Sequence, residues 1–406
     1  MLSAAGGVSG RFDGVSSDLA YLDPTLEYDD AAVTLRLERN GQPLAQAALT
    51  EVQAATAEAV ERLGDGHPVH EAVLLASASQ ARAGFDMMSG EIHAAWTAAA
   101  FTEAGMTRDV ILDRLHGAHE AAAAAGTALT RPGPGATFWG KGLGGWGAGR
   151  GGHGAAATGR RSGGFILGAD VAFGPVTAGV AGGHVTGCLD VDARHSRGLS
   201  QTTGGALYAG AQLGALSLAG GVSHAVTQAS TRRVVILPGY SGMAAAAYGV
   251  RTFQAFGEAA YRLPMAGAGT FSPFVSLAGV RVNADGFTER GGAAALTGRG
   301  RSSAIGVLTV GTRVDAEIGG ARLNGMIGWR RACGDLRPAT LLAFRDDPAA
   351  LPLAVRSVPL DRSALAVAAG VDWTIATGAR IGVAYNGLYG ARNADQQFRG
   401  QMELLF

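Results

Sequence analysis

The chain ends with FRGQMELLF, residues 398–406, and its apolar and polar residues alternate up to the last position. The two faces of this alternation are Phe398, Gly400, Met402, Leu404 and Phe406 on one side, and Arg399, Gln401 and Glu403 on the other. Chain ends are usually polar and poorly ordered unless the fold holds them. The pattern therefore predicts a half-buried final strand that pairs with another part of the chain.

The same alternation recurs in strand after strand from residue 131 onward, after the helix-breaking RPGPG. In FILGADVAF, for example, Phe165 and Leu167 share one face, whereas Ile166 and Asp170 share the other. We expect about twelve strands, beginning near residues 136, 161, 176, 199, 214, 248, 270, 301, 320, 363, 379 and 395.

The connections between these strands alternate in length. Short ones such as FGP (173–175) and ATG (376–378) alternate with mostly long, polar ones near 148–160, 188–198, 229–247, 282–300 and 332–362. Short turns at one end and long loops at the other, over an even number of antiparallel strands, are typical of an outer-membrane β-barrel. A soluble barrel has no need to sort its loops by end, so we favour the membrane barrel. Its short turns would face the periplasm.

The region before residue 131 has a different character. Residues 1–44 are predicted to form a few short strands, and residues 45–130 are rich in helix formers. A twelve-stranded barrel with many inward Gly and Ala residues has a narrow lumen, and a helix is about 10–12 Å wide. We therefore predict that a helix over 107–130, with an N-cap signal at Thr107, threads the lumen.

Two sets of polar residues follow from this arrangement. The lumen helix would carry Arg108, Asp109, Asp113 and Arg114. The inward faces of the strands would present Asp170, Glu258, Arg262, Asp372, Arg380 and Asn386.

Composition excludes several other classes of protein. The 406 residues have a formal net charge of zero, so the basic face expected of a nucleic-acid-binding protein is not indicated. Cys188 and Cys333 are too few for a zinc site, and we expect two separate thiols. MLSAAGGVSGRFDGV at the start has neither the basic nor the apolar part of a signal peptide.

The motifs that resemble catalytic or binding sites have simpler explanations. GKGLGG (140–145) has strand rather than helix after it, which argues against a nucleotide site. The spacing of His116, His119 and Glu120 is not that of a zinc motif. The segment SGEIHAAW (89–96) is expected to be part of a helical linker. RHSRG (194–198) and TRR (231–233) are expected to be solvated loop charge, with contact to surface lipopolysaccharide as an alternative. We expect no metal, no cofactor and no enzymatic activity.

The order of these segments resembles the translocator unit of autotransporters (type V secretion). FDMMSGEIHAAW, TRDVILDRL, FWGKGLGGWG, the glycine-rich alternating region and the terminal Phe406 carry the resemblance, which covers the whole chain. It implies that residues 1–44 are the β-helix-like end of a passenger, 45–130 the linker and lumen helix, and 131–406 the barrel. It also implies that the chain is the C-terminal part of a longer protein with its own signal peptide.

The resemblance implies an outer-membrane translocator and anchor that exports its passenger to the bacterial cell surface. Its expected partners are outer-membrane lipid, the barrel-assembly machinery, periplasmic chaperones and the passenger. The assembly signal would be carried by Phe398, Met402, Leu404 and Phe406. Some relatives cleave themselves at an Asn in the lumen helix, but this chain has no Asn between Asn40 and Asn283, so we expect no such cleavage. A passive porin-like channel and an enzyme within residues 1–130 are the competing hypotheses.

Overall fold

The computed structural model describes residues 2–124, 136–152, 154–265 and 269–405, of which 119–124 and 405 are described by their backbone alone. The first strands form a three-stranded antiparallel sheet: β1 (Leu2–Ser3), β2 (Leu22–Tyr28) and β3 (Ala32–Arg39), in the order β1-β3-β2. The strands of a β-helix run parallel. The pairing here therefore departs from the β-helix-like arrangement expected for residues 1–44.

Four α-helices follow a short 3-10 turn at Leu44–Ala47: α1 (Glu51–Leu63), α2 (Pro68–Leu74), α3 (Ala78–Met88) and α4 (Glu91–Ala124). The Ser77 hydroxyl accepts from the backbone N–H of Gln80, whose side chain accepts from the backbone N–H of Ser77, and this capping box starts α3. Gly90 has a φ of +69° and separates α3 from α4. Within the described residues, no helix is both long and apolar enough to cross a membrane.

The expected start of the lumen helix at Thr107 was wrong. Thr107 lies inside α4, which begins sixteen residues earlier at Glu91. Its hydroxyl donates to the carbonyl of Glu103, a bond that lets a threonine remain in a helix interior. Residues 125–130 of the expected helix lie outside the described residues.

Twelve antiparallel strands close into a barrel, which confirms the predicted fold class. They are β4 (Ala136–Gly149), β5 (Thr158–Phe173), β6 (Val176–Val191), β7 (Ser196–Leu213), β8 (Leu216–Leu237), β9 (Tyr240–Tyr261), β11 (Gly269–Ala284), β15 (Arg301–Ile318), β16 (Ala321–Gly334), β19 (Ser363–Ala376), β20 (Ala379–Gly390) and β21 (Asn393–Leu405). The last strand pairs with the first, with Phe398 opposite Gly144 and Met402 opposite Gly140. This closure leaves the sheet without an open edge.

Six short strands lie in the connections between the barrel strands: β10 (Leu263–Pro264), β12 (Phe287–Thr288), β13 (Arg290–Gly291), β14 (Leu296–Gly298), β17 (Ala339–Phe344) and β18 (Leu353–Arg356). Four of them form a separate antiparallel sheet in the order β12-β14-β17-β18. Phe85, Met88, Leu296 and Phe344 are buried together, so this sheet and the helices α1–α3 share one apolar core. We call this assembly the cap.

All connections at one end of the barrel, which we call the turn end, are short. At the other end, the loop end, they range from short turns such as 391–392 to the long segment 335–362. Two predictions of long loops were wrong at the loop end. The connection expected near 188–198 is only the four residues 192–195, and residues 229–247 were also expected to be a long loop. β8 and β9 continue through this region and meet at a two-residue turn, Pro238 and Gly239, with Gly239 at a φ of +71°. The resulting hairpin packs on the cap, because Val235 and Leu237 belong to the cap core.

The two faces of the barrel strands differ as the alternation predicts. Phe165 and Leu167 are 49% and 55% exposed on the outer face, whereas Ile166 and Asp170 are buried on the inner face. The inner face surrounds α4, and together they form the second apolar core, which includes Trp96, Ile111 and Tyr208.

Candidate functional site

The helix α4 occupies the barrel lumen, which is the candidate functional site. Its apolar residues Ile92, Trp96, Phe101 and Ile111 are buried within the barrel core. The facing wall is built largely from small inward residues, among them Ala206, Ala229, Ala246 and Ala278. Small side chains are needed there because a helix with its side chains fills about 10–12 Å of the lumen.

Gly198 on β7 shows how closely the helix approaches the wall. A Cβ atom at this position would lie 2.6 Å from the indole ring of Trp96. Carbon atoms at van der Waals contact are about 3.5–4.0 Å apart, so a larger residue could not fit without displacing the ring.

At the turn end, α4 is held by a buried, bidentate ion pair. Arg114 donates from Nε and an Nη to the two carboxylate oxygens of Asp170 on β5, both at 2.8 Å. The Tyr208 hydroxyl donates to the same carboxylate at 2.9 Å and accepts from Trp139 Nε1 at 2.7 Å. Glu403 on β21 lies 3.2 Å from Arg114. Arg114 and Asp170 were each assigned to the lumen from the sequence, but their pairing and their aromatic partners were not predicted.

In the middle of the lumen, the acidic residues of α4 meet basic residues of the wall. Asp113 pairs with Lys141 on β4 and lies 3.5 Å from Arg399 on β21. Asp109 lies 3.3 Å from both Arg330 on β16 and Arg108 of its own helix. Arg399 was expected on the lumen face of the last strand, whereas Lys141 and Arg330 were missed by the sequence analysis, although the strand alternation places both on an inward face.

The other polar residues assigned to the lumen pair mainly within the wall. Glu258 makes a bidentate pair with Arg313 at 2.6 and 2.8 Å. Asn386 accepts from Arg399 at 3.2 Å. Asp372 accepts a hydrogen bond from Gln401, and Arg380 lies 3.9 Å from Glu403. Arg262 is half-buried and follows directly after β9.

The His-rich segment of α4 has one described contact. His116 lies 2.9 Å from the carboxylate of Asp315, which also accepts from Arg322 at 2.8 Å. This hydrogen bond to a carboxylate accounts for His116 as a polar helix residue facing the lumen wall. The side chains of His119 and Glu120 lie outside the described part of the helix.

At the loop end, the start of α4 is bonded to a barrel loop. Glu91 accepts from Arg194 at 2.9 Å and from the backbone N–H of Ala156 at 2.8 Å. Arg194 also lies 2.9 Å from Asp86 of α3. Arg194 is only 8% exposed, so the expectation that RHSRG is merely solvated loop charge was wrong for this residue. It is buried because the loop after β6 folds against the helix junction.

A second buried cluster at the same end corrects the expectation for TRR (231–233). Arg233 is fully buried and binds both carboxylate oxygens of Glu289, at 2.6 and 2.8 Å. It also donates to the carbonyl of Met87 at 2.9 Å. The His93 ring lies 2.9 Å from Glu289 and 3.1 Å from the Tyr248 hydroxyl. Arg233 is buried because its strand extends past the barrel and beneath the cap.

The electrostatics of this cluster follow from its burial. Tyr248 lies thirteen residues from the turn end of β9 at Tyr261, and a strand crosses the apolar part of a membrane in about 9–11 residues, so the cluster lies beyond that part. Burial would raise the pKa of Glu289, but Arg233 and His93 outweigh burial and hold this pKa well below its usual range. Burial and the charge of Arg233 lower the pKa of His93 against the opposing effect of Glu289.

A cavity of about 210 Å³ remains beside α4. It is bounded by the helix and by strands β15, β16, β19, β20 and β21, and Asp109, Asp113, Arg330 and Arg399 line it. The helix therefore fills most of one side of the lumen and leaves a narrow polar space along the other.

The strand that carries the expected assembly signal lies at the barrel seam. Phe398 and Met402 face outward and are 52% and 51% exposed, and Leu404 is half-buried. The ring of Phe398 stacks on Trp146 of β4, with centroids 5.6 Å apart. Phe406 lies outside the described residues. Cys188 on β6 and Cys333 on β16 are both free thiols.

Comparison with known proteins gives consistent matches. The model of the autotransporter beta-domain family matches residues 138–386. Two proteins from Serratia marcescens, each named an extracellular serine protease, are 28% and 27% identical over 97% of this chain and 42% of their own length. The chain thus spans about two fifths of the length of these curated relatives.

Among solved structures, the translocator domain of the autotransporter NalP from Neisseria meningitidis has a TM-score of 0.60 and 16% identity, covering 76% of this chain and 98% of that one. The beta domain of the Bordetella autotransporter BrkA has a TM-score of 0.51 and 14% identity, covering 67% and 100%. At such identities these matches show the fold. With the family match over residues 138–386, they establish that this chain belongs to the autotransporter beta-domain family, as an outer-membrane β-barrel translocator domain.

Proposed function

We propose that the chain exports the polypeptide that precedes it to the bacterial cell surface and then anchors it in the outer membrane. The observation that carries this proposal is α4, which lies in the lumen and runs from the loop end to the turn end just before the first barrel strand. A chain exported through the pore, with the barrel as its C-terminal part, would leave its last segment in this position. The turn end is then periplasmic and the loop end extracellular.

Within this function we assign the domains as the sequence suggests. Residues 1–44 are the end of the passenger, 45–130 form the linker and lumen helix, and 131–406 form the translocator barrel. The segment 45–130 is more than a simple linker. Its helices α1–α3 pack on β17, β18 and the β8–β9 hairpin rather than extending freely. The linker therefore closes the extracellular mouth as well as filling the pore.

We further propose that Phe398, Met402, Leu404 and Phe406 form the signal read by the barrel-assembly machinery after periplasmic chaperones deliver the chain. The outward, exposed positions of Phe398 and Met402 on the closing strand support this role. Deleting Phe406, or adding a charged tag after it, should reduce outer-membrane assembly without changing synthesis. Assembly at the original level would contradict the proposal.

Transport rather than catalysis is the role we assign to residues 1–406. The name extracellular serine protease belongs to relatives more than twice as long as this chain. The buried pairs Arg114–Asp170 and Arg233–Glu289 use their acid and base groups as ion pairs within the lumen and the cap. Because α4 has no Asn, we also expect it to remain uncleaved by Asn cyclisation.

Surface display tests the proposed export. Residues 1–406 would be expressed behind a signal peptide, with an epitope at the N-terminus, and intact cells would be labelled with antibody. We expect surface labelling that is lost when β21 is deleted, because the barrel then cannot close. A passive channel is the competing function: a folded barrel in the outer membrane with its epitope in the periplasm would favour it over transport.

A further inference from the structure

The outer surface of the barrel carries a set of exposed arginines near its loop end. We call it the arginine belt, and it consists of Arg161, Arg197, Arg232, Arg251, Arg281 and Arg331. Each belongs to a barrel strand and falls on the same outward face as the apolar side chains of that strand. These positions are unusual for cations, since outward residues of the barrel contact lipid.

The height of the central pair, Arg251 and Arg281, identifies what surrounds that pair. Arg197 and Arg232 lie further out, each sixteen residues from the turn end of its strand. Arg251 lies ten residues from Tyr261 at the turn end of β9, and Arg281 lies ten residues from Phe271 near the turn end of β11. A tilted strand crosses the apolar part of the membrane in about 9–11 residues. Both guanidinium groups therefore reach the headgroup level of the outer leaflet. The opposite ends of the same outward faces carry the aromatic rings of Tyr261 and Phe271 instead.

Arg251 and Arg281 lie next to each other on neighbouring strands. The backbone of Arg251 is opposite Asn283, so Arg281 is its diagonal neighbour on the same face, at about 7–8 Å between such positions. Asp285 binds Arg251 through both carboxylate oxygens, at 2.8 and 2.9 Å, to one of its Nη atoms. The rest of that guanidinium and the whole of Arg281 face the lipid headgroups.

A second pair of the belt adds to the positive charge. Arg197 on β7 is directly opposite Arg232 on β8, and like charges in this arrangement destabilise a sheet. Asp190 lies 3.3 Å from Arg197 and relieves part of this repulsion. Asp190 and Asp192 offset part of the charge of Arg197, and Asp285 part of that of Arg251, but six arginines leave this surface positive, so it attracts an anion.

We propose that the arginine belt, centred on Arg251 and Arg281, binds the phosphate groups of the phosphorylated glycolipid of the outer leaflet. Guanidinium groups form bidentate hydrogen bonds with phosphate, and these bonds strengthen where water is partly excluded. The acyl chains of the same lipid would cover the apolar strand faces below, such as Phe253 and Leu277. The belt then fixes the height of the barrel in the membrane and binds lipid without contributing to the pore.

Lipid binding by the full-length chain, refolded in detergent, tests this inference. Lipopolysaccharide would be titrated against the chain and against Arg251→Gln/Arg281→Gln, with the folded barrel verified by its shifted electrophoretic mobility before heating. We expect at least about a tenfold weaker binding by the double variant, because it loses two charge-assisted contacts. The control is Arg36→Gln, an equally exposed arginine of the N-terminal sheet, which should bind as the unmodified chain does.

Two further titrations identify the group that is bound. Enzymatically dephosphorylated lipopolysaccharide should bind the unmodified chain about as weakly as intact lipopolysaccharide binds the double variant. Inorganic phosphate should compete only weakly, since it lacks the acyl chains. Equal binding by the double variant, equal binding of the dephosphorylated lipid, or full competition by inorganic phosphate would overturn the proposal. Surface display is measured separately, so its failure would not be confused with these outcomes.

Discussion

Arg114 and Asp170 illustrate how a single pair of side chains can fix the helix in the pore. Their side chains are 4% and 3% exposed, so burial removes both charges from water, and each compensates the other for that loss. Removing one partner of a buried pair leaves an uncompensated charge, at a cost of about 3–5 kcal/mol. The same pair cannot be read from the sequence, because the partners are 56 residues apart and nothing local indicates which inward carboxylate faces the helix.

Replacing Arg114 with Met should therefore loosen α4 and raise the conductance of the barrel in planar bilayers. The reason is that Asp170 loses its bidentate partner and retains only Tyr208 and water. Arg114→Lys is the matched control, since it keeps the charge but not the bidentate geometry, and should have an intermediate effect. If Arg114→Met conducts as little as the unmodified barrel, the pair does not hold the helix in place.

The contact between Gly198 and Trp96 permits a test of helix position at the residue scale. Gly198→Val should destabilise the folded chain by about 1–3 kcal/mol, as overpacking does, because its side chain would overlap the indole ring. Denaturant-induced unfolding followed by tryptophan fluorescence measures this change. Trp96→Ala removes the overlap, so adding it should make Gly198→Val less harmful than it is alone. Strictly additive effects of the two substitutions would show that the ring and β7 do not touch.

At the scale of elements, the sequence predicted the starts of strands well wherever nearby residues determine them. Eleven of the twelve expected starts lie within three residues of the observed ones, because alternation and turn residues act over a few positions. β9 is the exception, beginning at Tyr240 instead of near 248. Its extension was missed because Arg232 and Arg233 suggested solvent, whereas the cap buries Arg233 against Glu289. Only the tertiary packing decides between these outcomes.

The β8–β9 hairpin beyond the barrel should be required for the cap rather than for the barrel. Leu237 at its tip is 6% exposed and lies against α3, where a Cβ on Gly84 would come within 2.4 Å of it. Replacing residues 234–243 with a two-residue turn should therefore free α1–α3. We expect trypsin to cut faster after Arg62 and Arg82 while the barrel keeps its shifted electrophoretic mobility.

A matched control for the hairpin deletion is Ile236→Ser, because Ile236 is 52% exposed and points away from the cap core. This variant should keep the protease resistance of the unmodified chain. Unchanged resistance in the deletion variant as well would mean that β17 and β18 hold the cap without the hairpin.

At the scale of the whole molecule, the barrel forms a pore and the helix α4 fills most of it. The cavity that remains beside α4 is about 210 Å³, so small ions have only a narrow polar path. Deleting residues 100–130 should open the lumen and raise single-channel conductance several-fold in planar bilayers, since a helix about 10–12 Å wide is removed. Deleting α1–α3 (51–88) is the control for the cap: it leaves α4 in the lumen and should raise conductance far less. If the two deletions conduct equally, the cap rather than the helix closes the pore, and if neither conducts more than the intact chain, α4 is not its plug.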